Sequence, residues 1–260
     1  MSDRSDSRPL LVDAHAHFDL LPDLDAGVEE SVSAGLEKML AVGVDLASSR
    51  TAADLAARYK QVWASVGVHP HGAEKLDSAT LEELRKLASL PRTVAIGETG
   101  LDFYRNLSPP PVQKEAFHRQ IELARETGLT LMVHTREAGA KTLGILKDHA
   151  EGVTVVLHCF SLAARIDECI RRGYFMSVAG NVTFKNATAL KEAVRLIPPE
   201  LLLTETDSPY LAPVPFRGKP NRPALVRQVI EEVSRLREEP IDELAACVSA
   251  NFDRAFKIID

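Results

Sequence analysis

The stretch Leu10-Leu11-Val12-Asp13-Ala14-His15-Ala16-His17 joins a short apolar run to two histidines that lie two positions apart. Side chains alternate between the two faces of an extended strand, so His15 and His17 are predicted to point the same way. Two imidazoles on one strand face can ligate one metal ion. A chance pair of packed histidines would give the same pattern, because short motifs recur by accident. The polar residues elsewhere in the chain must decide between these interpretations.

Short apolar runs like this one recur along the chain and alternate with segments of helical spacing. We predict eight strands, at residues 10–13, 38–44, 62–68, 93–97, 130–133, 153–157, 174–178 and 201–203. Gly128 and Gly173 stand where helices are expected to end. Two amphipathic helices follow the last strand, the first opened by Pro223 and the second separated from it by Pro240.

Eight β-α units in about 250 residues predict an α/β fold of the (β/α)8 TIM barrel type, whose chemistry sits at the carboxyl ends of the strands. The alternative is a doubly wound open sheet, which would more often place a Gly-rich phosphate loop after the first strand, where this chain has histidines. The chain is 45% hydrophobic and 26% charged and contains no linker or repeat. We therefore predict one domain over residues 1–260, with residues 1–9 as a flexible polar tail.

Residues 1–9 lack the apolar core of a secretory signal, and no run reaches membrane-spanning length. Three cysteines, an odd number with no C-x-x-C spacing, argue against a disulfide framework. We therefore predict a cytoplasmic protein that makes no membrane contact and whose cysteines are small buried apolar residues. Cys159 directly follows His158, and strand alternation would turn it toward the helices and the core.

The formal net charge of -6 restricts the class of partner. A protein that holds long stretches of nucleic acid usually carries a basic stripe, because contacts to phosphates supply most of the non-specific affinity. The sequence has no such stripe, and nothing in it indicates an obligate protein partner. An acidic protein can still act on a phosphodiester if divalent ions offset its carboxylates and it grips only a few nucleotides.

Polar residues with metal-ligand chemistry collect where the predicted strands end. They are His15 and His17 after the first strand, His69 and His71 after the third, Glu98 after the fourth, His134 and His158 at the ends of the fifth and sixth, and Glu205 and Asp207 after the eighth. Six of the eight histidines thus fall at one end of the barrel, whereas packed core histidines could sit at any depth. This placement predicts a metal site.

Six ordered motifs make the sequence resemble the TatD family of metal-dependent deoxyribonucleases, within the amidohydrolase-like barrels. They are Val-Asp-Ala-His-Ala-His (12–17), Gly-Val-His-Pro-His (67–71), Ile-Gly-Glu-Thr-Gly-Leu-Asp (96–102), Val-His-Thr-Arg-Glu-Ala (133–138), Leu-His-Cys-Phe-Ser (157–161) and Thr-Glu-Thr-Asp-Ser-Pro-Tyr-Leu-Ala-Pro (204–213). The resemblance runs from Val12 to the final helix. Leu162 is a departure, because the family often has glycine there.

The resemblance implies a centre of two divalent ions with Glu98 as the bridging ligand. The other implied ligands are His15, His17 and Asp207 for one ion, and His134 and His158 for the second. Amidohydrolase relatives often use a carboxylated lysine as the bridge, and a glutamate makes the site richer in oxygen. That favours Mg²⁺ or Mn²⁺, although Zn²⁺ remains compatible.

Two acidic residues after the last strand have more than one interpretation. Asp207 can accept the proton of the attacking water, or it can merely cap the turn through Ser208-Pro209. Glu205 alternates to the same face as Asp207, where it can orient a metal ligand or make a structural salt bridge. We expect Asp207, Glu98 and His69 to be catalytic.

Further residues near the strand ends are candidates for binding substrate. Arg105, Arg136 and Arg217 can clamp a phosphate or remain solvated loop charges, and we expect a role for the first two. His69 and His71 can contact the phosphate, bind a third ion or protonate a leaving group, and we expect a substrate contact by His69. Five aromatics either stack on bases or pack loops: Phe103, Tyr104, Phe160, Tyr210 and Phe216.

These interpretations predict a metal-dependent hydrolase of DNA phosphodiesters that acts on single-stranded ends, in the 3′-5′ direction that the resemblance implies. RNA is a further possible substrate. One alternative is a metallohydrolase of another ester or amide, such as an aminoacyl ester on tRNA. The other is a catalytically inactive binding barrel, which would require lost ligands, and none of the six matched ligands is lost.

Overall fold

The strands form one parallel sheet in chain order. The computed structural model describes residues 11–258, and in that range each strand pairs in parallel with the next along the chain. The strands are β1 (Leu11–Ala16), β2 (Leu36–Val42), β3 (Val62–Val66), β4 (Thr93–Asp102), β5 (Thr130–Arg136), β6 (Val155–Leu157), β7 (Phe175–Val178) and β8 (Leu202–Thr204). The predicted (β/α)8 barrel is confirmed.

The barrel is closed by contacts between β1 and the segment around β8. Ala16 forms a parallel bridge with Ser208, whose carbonyl accepts a hydrogen bond of 2.9 Å from the His17 N–H. The N–H of Asp207 donates to the His15 carbonyl at 2.9 Å. A doubly wound sheet would leave both edges open, so these bonds exclude it. The same bonds bring three predicted metal ligands to one place.

Helices cover the outside of the sheet. They are α1 (Leu24–Ser33), α2 (Leu46–Arg58), α3 (Ser78–Ala88), α4 (Pro110–Thr127), α5 (Gly139–His149), α6 (Ile166–Arg171), α7 (Thr188–Leu196), α8 (Val226–Arg237) and α9 (Ile241–Phe256). Gly128 ends α4 in the left-handed conformation, with a φ of 71°, and α9 begins directly after Pro240, as predicted.

Both faces of the strands are covered, which explains their continuous apolar runs. In β1 and β8 every residue is buried. The helices bury one stripe only, and in α8 that stripe contains Val229, Ile230 and Val233. Each such side chain stabilises the fold by roughly 1.5–3 kcal/mol relative to full exposure.

Several strand boundaries differ from the prediction, and the largest difference is at β4. The apolar run predicted an end at residue 97, but β4 continues to Asp102 and pairs with a β5 that reaches Arg136. Two glycines permit this path, because Gly97 and Gly100 have φ values of 136° and 137°. The polar motif around Glu98 is therefore strand and not loop. In addition, β2 starts at Leu36 and β3 ends at Val66, each two residues before its predicted boundary.

We predict that Gly100→Ala destabilises the barrel severely. A Cβ at Gly100 would lie 2.0 Å from the His134 carbonyl oxygen, and alanine disfavours the positive φ. Together these effects should lower the free energy of unfolding by on the order of 3 kcal/mol. Urea unfolding followed by circular dichroism measures the loss.

Gly144→Ala is the matched control for that substitution. Gly144 lies inside α5, and a Cβ there would meet nothing within 4 Å. Alanine is the better helix former, so this variant should gain about 0.5–1 kcal/mol. Equal stability of the two variants would show that β4 does not need glycine at position 100.

Predictions about the chain ends lie outside the described residues. These are the flexible tail at 1–9 and the assignment of Leu10 to the first strand. The single domain over 1–260 likewise stays a prediction. Between residues 11 and 258, none of the helices combines the length and the apolar character that a bilayer crossing requires.

Candidate metal centre

Glu98 is the central residue of the site. Its side chain is only 3% exposed, and its N–H donates to the Gly43 carbonyl at 2.9 Å, which fixes this part of β4 against the strand-two loop. Imidazole nitrogens approach both carboxylate oxygens. Those near Oε1 belong to His134 (2.8 Å), His158 (3.0 Å) and His69 (3.4 Å), and those near Oε2 to His15 (3.4 Å) and His17 (3.7 Å).

Asp207 completes the cluster from the other side. Its Oδ1 lies 3.3 Å from His17 Nε2 and 3.9 Å from His15 Nε2. The residue has a φ of 54°, a left-handed conformation that aspartate tolerates better than most residues. All six residues implied as metal ligands therefore lie in one cluster.

A buried aspartate that sequence reasoning gave no role holds two parts of this cluster together. Asp13 Oδ1 accepts hydrogen bonds from the N–H groups of His15 (3.2 Å) and Thr206 (2.9 Å), and Oδ2 accepts one from Thr206 Oγ1 at 2.6 Å. Burial raises the pKa of Asp13 to about 8, although the hydrogen bonds from Thr206 oppose that shift. Asp13 thus ties β1 to the residue before Asp207.

Two further carboxylates lie close to the histidines beside Glu98. His158 Nδ1 lies 3.2 Å from Glu205 Oε1, which also accepts the Cys159 N–H at 2.8 Å. His134 Nε2 lies 3.4 Å from Asp102 Oδ2. The His158 ring therefore faces Glu98 with one nitrogen and Glu205 with the other, which fixes its orientation. His134 Nε2 faces Asp102 without a hydrogen bond. Of the two interpretations of Glu205, this geometry favours the orientation of His158.

Asp102 was missed as a functional residue. It is fully buried, and its Oδ2 lies 2.9 Å from His71 Nε2 in addition to the His134 contact. Its Oδ1 accepts the N–H groups of Tyr104 and Arg105 at 2.9 and 2.8 Å. The signal was present in the spacing, because Glu98 and Asp102 are four positions apart and so share one strand face.

The carboxylates and imidazoles of the cluster shift one another's pKa values. Burial acts to raise the pKa of Glu98, but the charge of His158 and hydrogen bonds from His134 and His15 hold it well below its ordinary value. Burial acts to lower the pKa of His158, but Glu98 and Glu205 raise it well above the ordinary value. The pKa of Asp207 is likewise lowered by His17 against the effect of burial. Glu98 and Asp207 are therefore ionised at neutral pH, and positive charge is attracted.

The donor set fits metal ions. His15 and His17 approach with their Nε2 atoms 3.3 Å apart, and His134 Nδ1 and His158 Nε2 are also 3.3 Å apart. Two sets of three ligand atoms, each lying within 4.8 Å of one another, share Glu98: one with His15 and His17, and one with His69 and His134. The Glu98 carboxylate cannot form good hydrogen bonds with all five imidazoles that approach it. Bound cations would give each of these nitrogens a ligand bond. The cluster is able to hold metals.

A cavity of about 830 Å³ opens above the cluster. Its size is within the usual range of small-molecule sites, roughly 300–1,000 Å³. All four residues expected to bind substrate line it: His69, His71, Arg105 and Arg136. Lys75, Ser161 and Asn181 also line the cavity and were not predicted. Lys75 was missed because it lies beyond the motif that drew attention to the strand-three loop.

His69 is better suited to accept a hydrogen bond or ligate a metal ion than to donate a proton to a leaving group. Burial lowers its pKa to about 3, although Glu98 opposes that shift. The ring is therefore neutral at pH 7. This favours a contact to substrate or to a metal ion over protonation of a leaving group.

Two predictions about cysteines were wrong. Cys159 lines the cavity and is partly exposed, because its φ of 42° interrupts the strand alternation that would have turned it toward the helices. Cys247 is also partly exposed, with its Sγ 3.3 Å from the Pro199 carbonyl oxygen. Cys169 is buried, as predicted.

The structure distinguishes among the arginines and aromatics that were considered for substrate binding. Arg217 stacks on Phe184 at 4.1 Å and is not among the cavity-lining residues of 11–258. Phe160 is 2% exposed, so it packs and offers no stacking face. Tyr104 is exposed, and the Arg136 guanidinium stacks on its ring at 3.9 Å from the ring centre. Tyr210 lines the cavity.

Comparison with known proteins gives one consistent result. A family model described as TatD related DNase matches residues 12–257. An uncharacterized metal-dependent hydrolase, YabD of Bacillus subtilis, is 37% identical over 254 residues, which are 96% of this chain and 100% of that protein. The 3′-5′ ssDNA/RNA exonuclease TatD of Citrobacter rodentium is 37% identical over 243 residues, 91% of this chain and 92% of that protein.

Among solved structures, the TatD homologue YJJV of Escherichia coli K12 has a similar fold. Its TM-score is 0.88 at 28% sequence identity, and the match covers 96% of this chain and 98% of the other.

Proposed function

This chain belongs to the TatD-related DNase family of metal-dependent hydrolases, and we propose that it removes nucleotides one at a time from the 3′ ends of single-stranded DNA, with RNA ends as a further substrate. The observation that carries the proposal is the cluster of histidines and carboxylates around Glu98, at the base of a cavity that Lys75, Arg105 and Arg136 help to line. The nuclease names of relatives such as the Citrobacter rodentium protein support it.

The chain's own residues have defined roles in this reaction. Glu98 would join the ions bound by His15, His17 and Asp207 to those bound by His134 and His158. When bound, two divalent ions supply a water of lowered pKa and neutralise the charge of the phosphate. Asp207 would take the proton of that water. Water adds to phosphorus, the bond from phosphorus to O3′ of the preceding nucleotide breaks, and the departing O3′ takes up the proton that Asp207 accepted. The products are a 5′-nucleotide and a strand with a new 3′ hydroxyl.

The chemistry of the ligands favours one class of metal ion. A bridging glutamate and Asp207 add oxygen donors to the histidines, and oxygen donors suit Mg²⁺ and Mn²⁺. We propose one of these as the working ion, with Zn²⁺ as the competitor that histidines favour.

Charge and access support action on single strands. The net charge is -6, and the cavity offers few cations, so only a few phosphates can be neutralised. Glu98 is almost fully buried below the mouth, and a frayed or single strand reaches it more easily than a duplex about 20 Å wide. The inactive-barrel alternative would require missing ligands, and all six lie in the cluster.

The polarity is tested by blocking one end at a time. One single-stranded oligonucleotide carries a 3′-3′ inverted terminal nucleotide, and its matched control carries a 5′-5′ inverted nucleotide. With Mg²⁺ or Mn²⁺ present, the first should resist and the second should be degraded to mononucleotides. Equal degradation of both, or protection by the 5′ block alone, would contradict the proposal.

A further inference from the structure

Two exposed large apolar side chains, Leu20 and Tyr210, line the cavity. Of the eight in residues 11–258, five lie on loops that follow strand ends: Leu20, Tyr104, Leu107, Tyr210 and Val214. The other three are Val32, Leu90 and Leu196, each isolated on a different helix or helix end. Scattered apolar residues are ordinary on a surface, whereas a concentration beside a cavity indicates a binding surface.

Apolar and cationic residues line different sides of the cavity, and the carboxylates of Asp45 and Asp102 line it as well. Leu20, Tyr210 and Leu211, which we call the apolar shelf, line it on the side of β1 and β8. Lys75, Arg105 and Arg136, which we call the cationic rim, line it on the side of β3 to β5. Within residues 11–258, none of these three cations makes a salt bridge to a carboxylate. The cluster of histidines and carboxylates around Glu98 lies between the two sides.

The two exposed tyrosines at the mouth are not equivalent. Arg136 covers one face of the Tyr104 ring at 3.9 Å, so Tyr104 serves to position a cation. Tyr210 is 54% exposed and touches His17 edge-to-face at a centroid distance of 5.9 Å. A ring beside a metal ligand, with an exposed surface, is suited to stack on a base.

The backbone of the shelf is held in place. The Tyr210 carbonyl accepts a hydrogen bond of 2.7 Å from Asn221 Nδ2, which also donates to the Thr206 carbonyl at 2.8 Å. The Tyr210 N–H donates to the Asp207 carbonyl at 2.8 Å. The ring position is thereby coupled to Asp207, and Asn221 is fully buried.

We propose that the apolar shelf binds the base of the nucleotide being removed, while the cationic rim binds the phosphates of the strand that remains. This inference rests on the proposed function and adds the recognition of its substrate. Every base has a π face, so the shelf tolerates any sequence, but it should reject a terminal sugar that carries no base. Stacking of one base contributes about 10- to 100-fold in affinity.

The test measures binding separately from hydrolysis. Isothermal titration calorimetry compares deoxyadenosine 5′-monophosphate with deoxyribose 5-phosphate, using full-length protein loaded with Mn²⁺. The wild type should bind the nucleotide about 10-fold or more tightly than the sugar phosphate. Tyr210→Ala should bind both equally, and Tyr210→Phe should keep the preference because it keeps the ring.

Leu20→Ala and Leu196→Ala form a matched pair of exposed leucines. The first should weaken nucleotide binding, whereas the second, at the end of α7, should not. If the wild type binds the nucleotide and the sugar phosphate equally, or if Tyr210→Ala keeps the preference for the nucleotide, the proposal that the apolar shelf binds the base is wrong.

Hydrolysis is then compared on oligonucleotides with a normal or an abasic 3′-terminal nucleotide. A 10- to 100-fold lower kcat/KM for the abasic end supports the shelf, and equal rates overturn it. If no oligonucleotide is degraded but the wild type still prefers the nucleotide over the sugar phosphate, the proposed nuclease function is wrong while base binding by the apolar shelf is supported.

Discussion

Glu98→Gln is expected to lower kcat/KM for oligonucleotide ends about 1,000-fold or more while the barrel stays folded. Glu98 approaches both ligand sets, with His134 at 2.8 Å from one oxygen and His15 at 3.4 Å from the other. An amide has the same shape, but it removes the negative charge that joins two cations. Stabilisation of the transition state by metal ions amounts to several kcal/mol, and each 1.36 kcal/mol is tenfold in rate.

The variant is best assessed by metal content together with rate. Wild type should retain two divalent ions per chain after dialysis against trace Mn²⁺, and Glu98→Gln should retain fewer, with unchanged circular dichroism. Glu243→Gln, an exposed position in the first turn of α9, is the matched control and should behave as wild type. Near wild-type turnover of Glu98→Gln at saturating metal would show that no bridging carboxylate is needed.

The ligand cluster could be predicted because two simple rules act together. Strand alternation puts His15 and His17 on one face, and a parallel barrel brings the ends of all strands to one side. His134 and His158, which are 24 positions apart in the chain, therefore meet at 3.3 Å. No knowledge of individual contacts was needed for that result.

The features that the sequence did not predict depend on backbone geometry and long-range contacts, which leave no periodic pattern in the sequence. The length of β4 rests on two glycines with positive φ, and the exposure of Cys159 rests on its own positive φ. The tie from Asp13 to Thr206 spans 193 positions. Likewise, the sequence offered Tyr104 and Tyr210 as equal stacking candidates, and only the position of Arg136 separates them.

The second large effect is expected for a substrate without ends. A covalently closed single-stranded DNA circle has the same phosphodiesters as a linear strand but no 3′ terminus. If the terminal nucleotide must enter the cavity above Glu98 and pack beside Tyr210, a continuous loop of strand cannot supply it. The circle should therefore persist under conditions that convert the linear strand completely to mononucleotides.

Exonuclease action is tested by comparing these two substrates at equal nucleotide concentration. Both are incubated with Mn²⁺-loaded wild type and with Glu98→Gln, and released mononucleotides are quantified over time. We expect rapid release from the linear strand by wild type, and release from the circle no greater than that of Glu98→Gln. Degradation of the circle at the linear rate by wild type alone would show a metal-dependent nuclease that needs no end, which would contradict the proposed exonuclease.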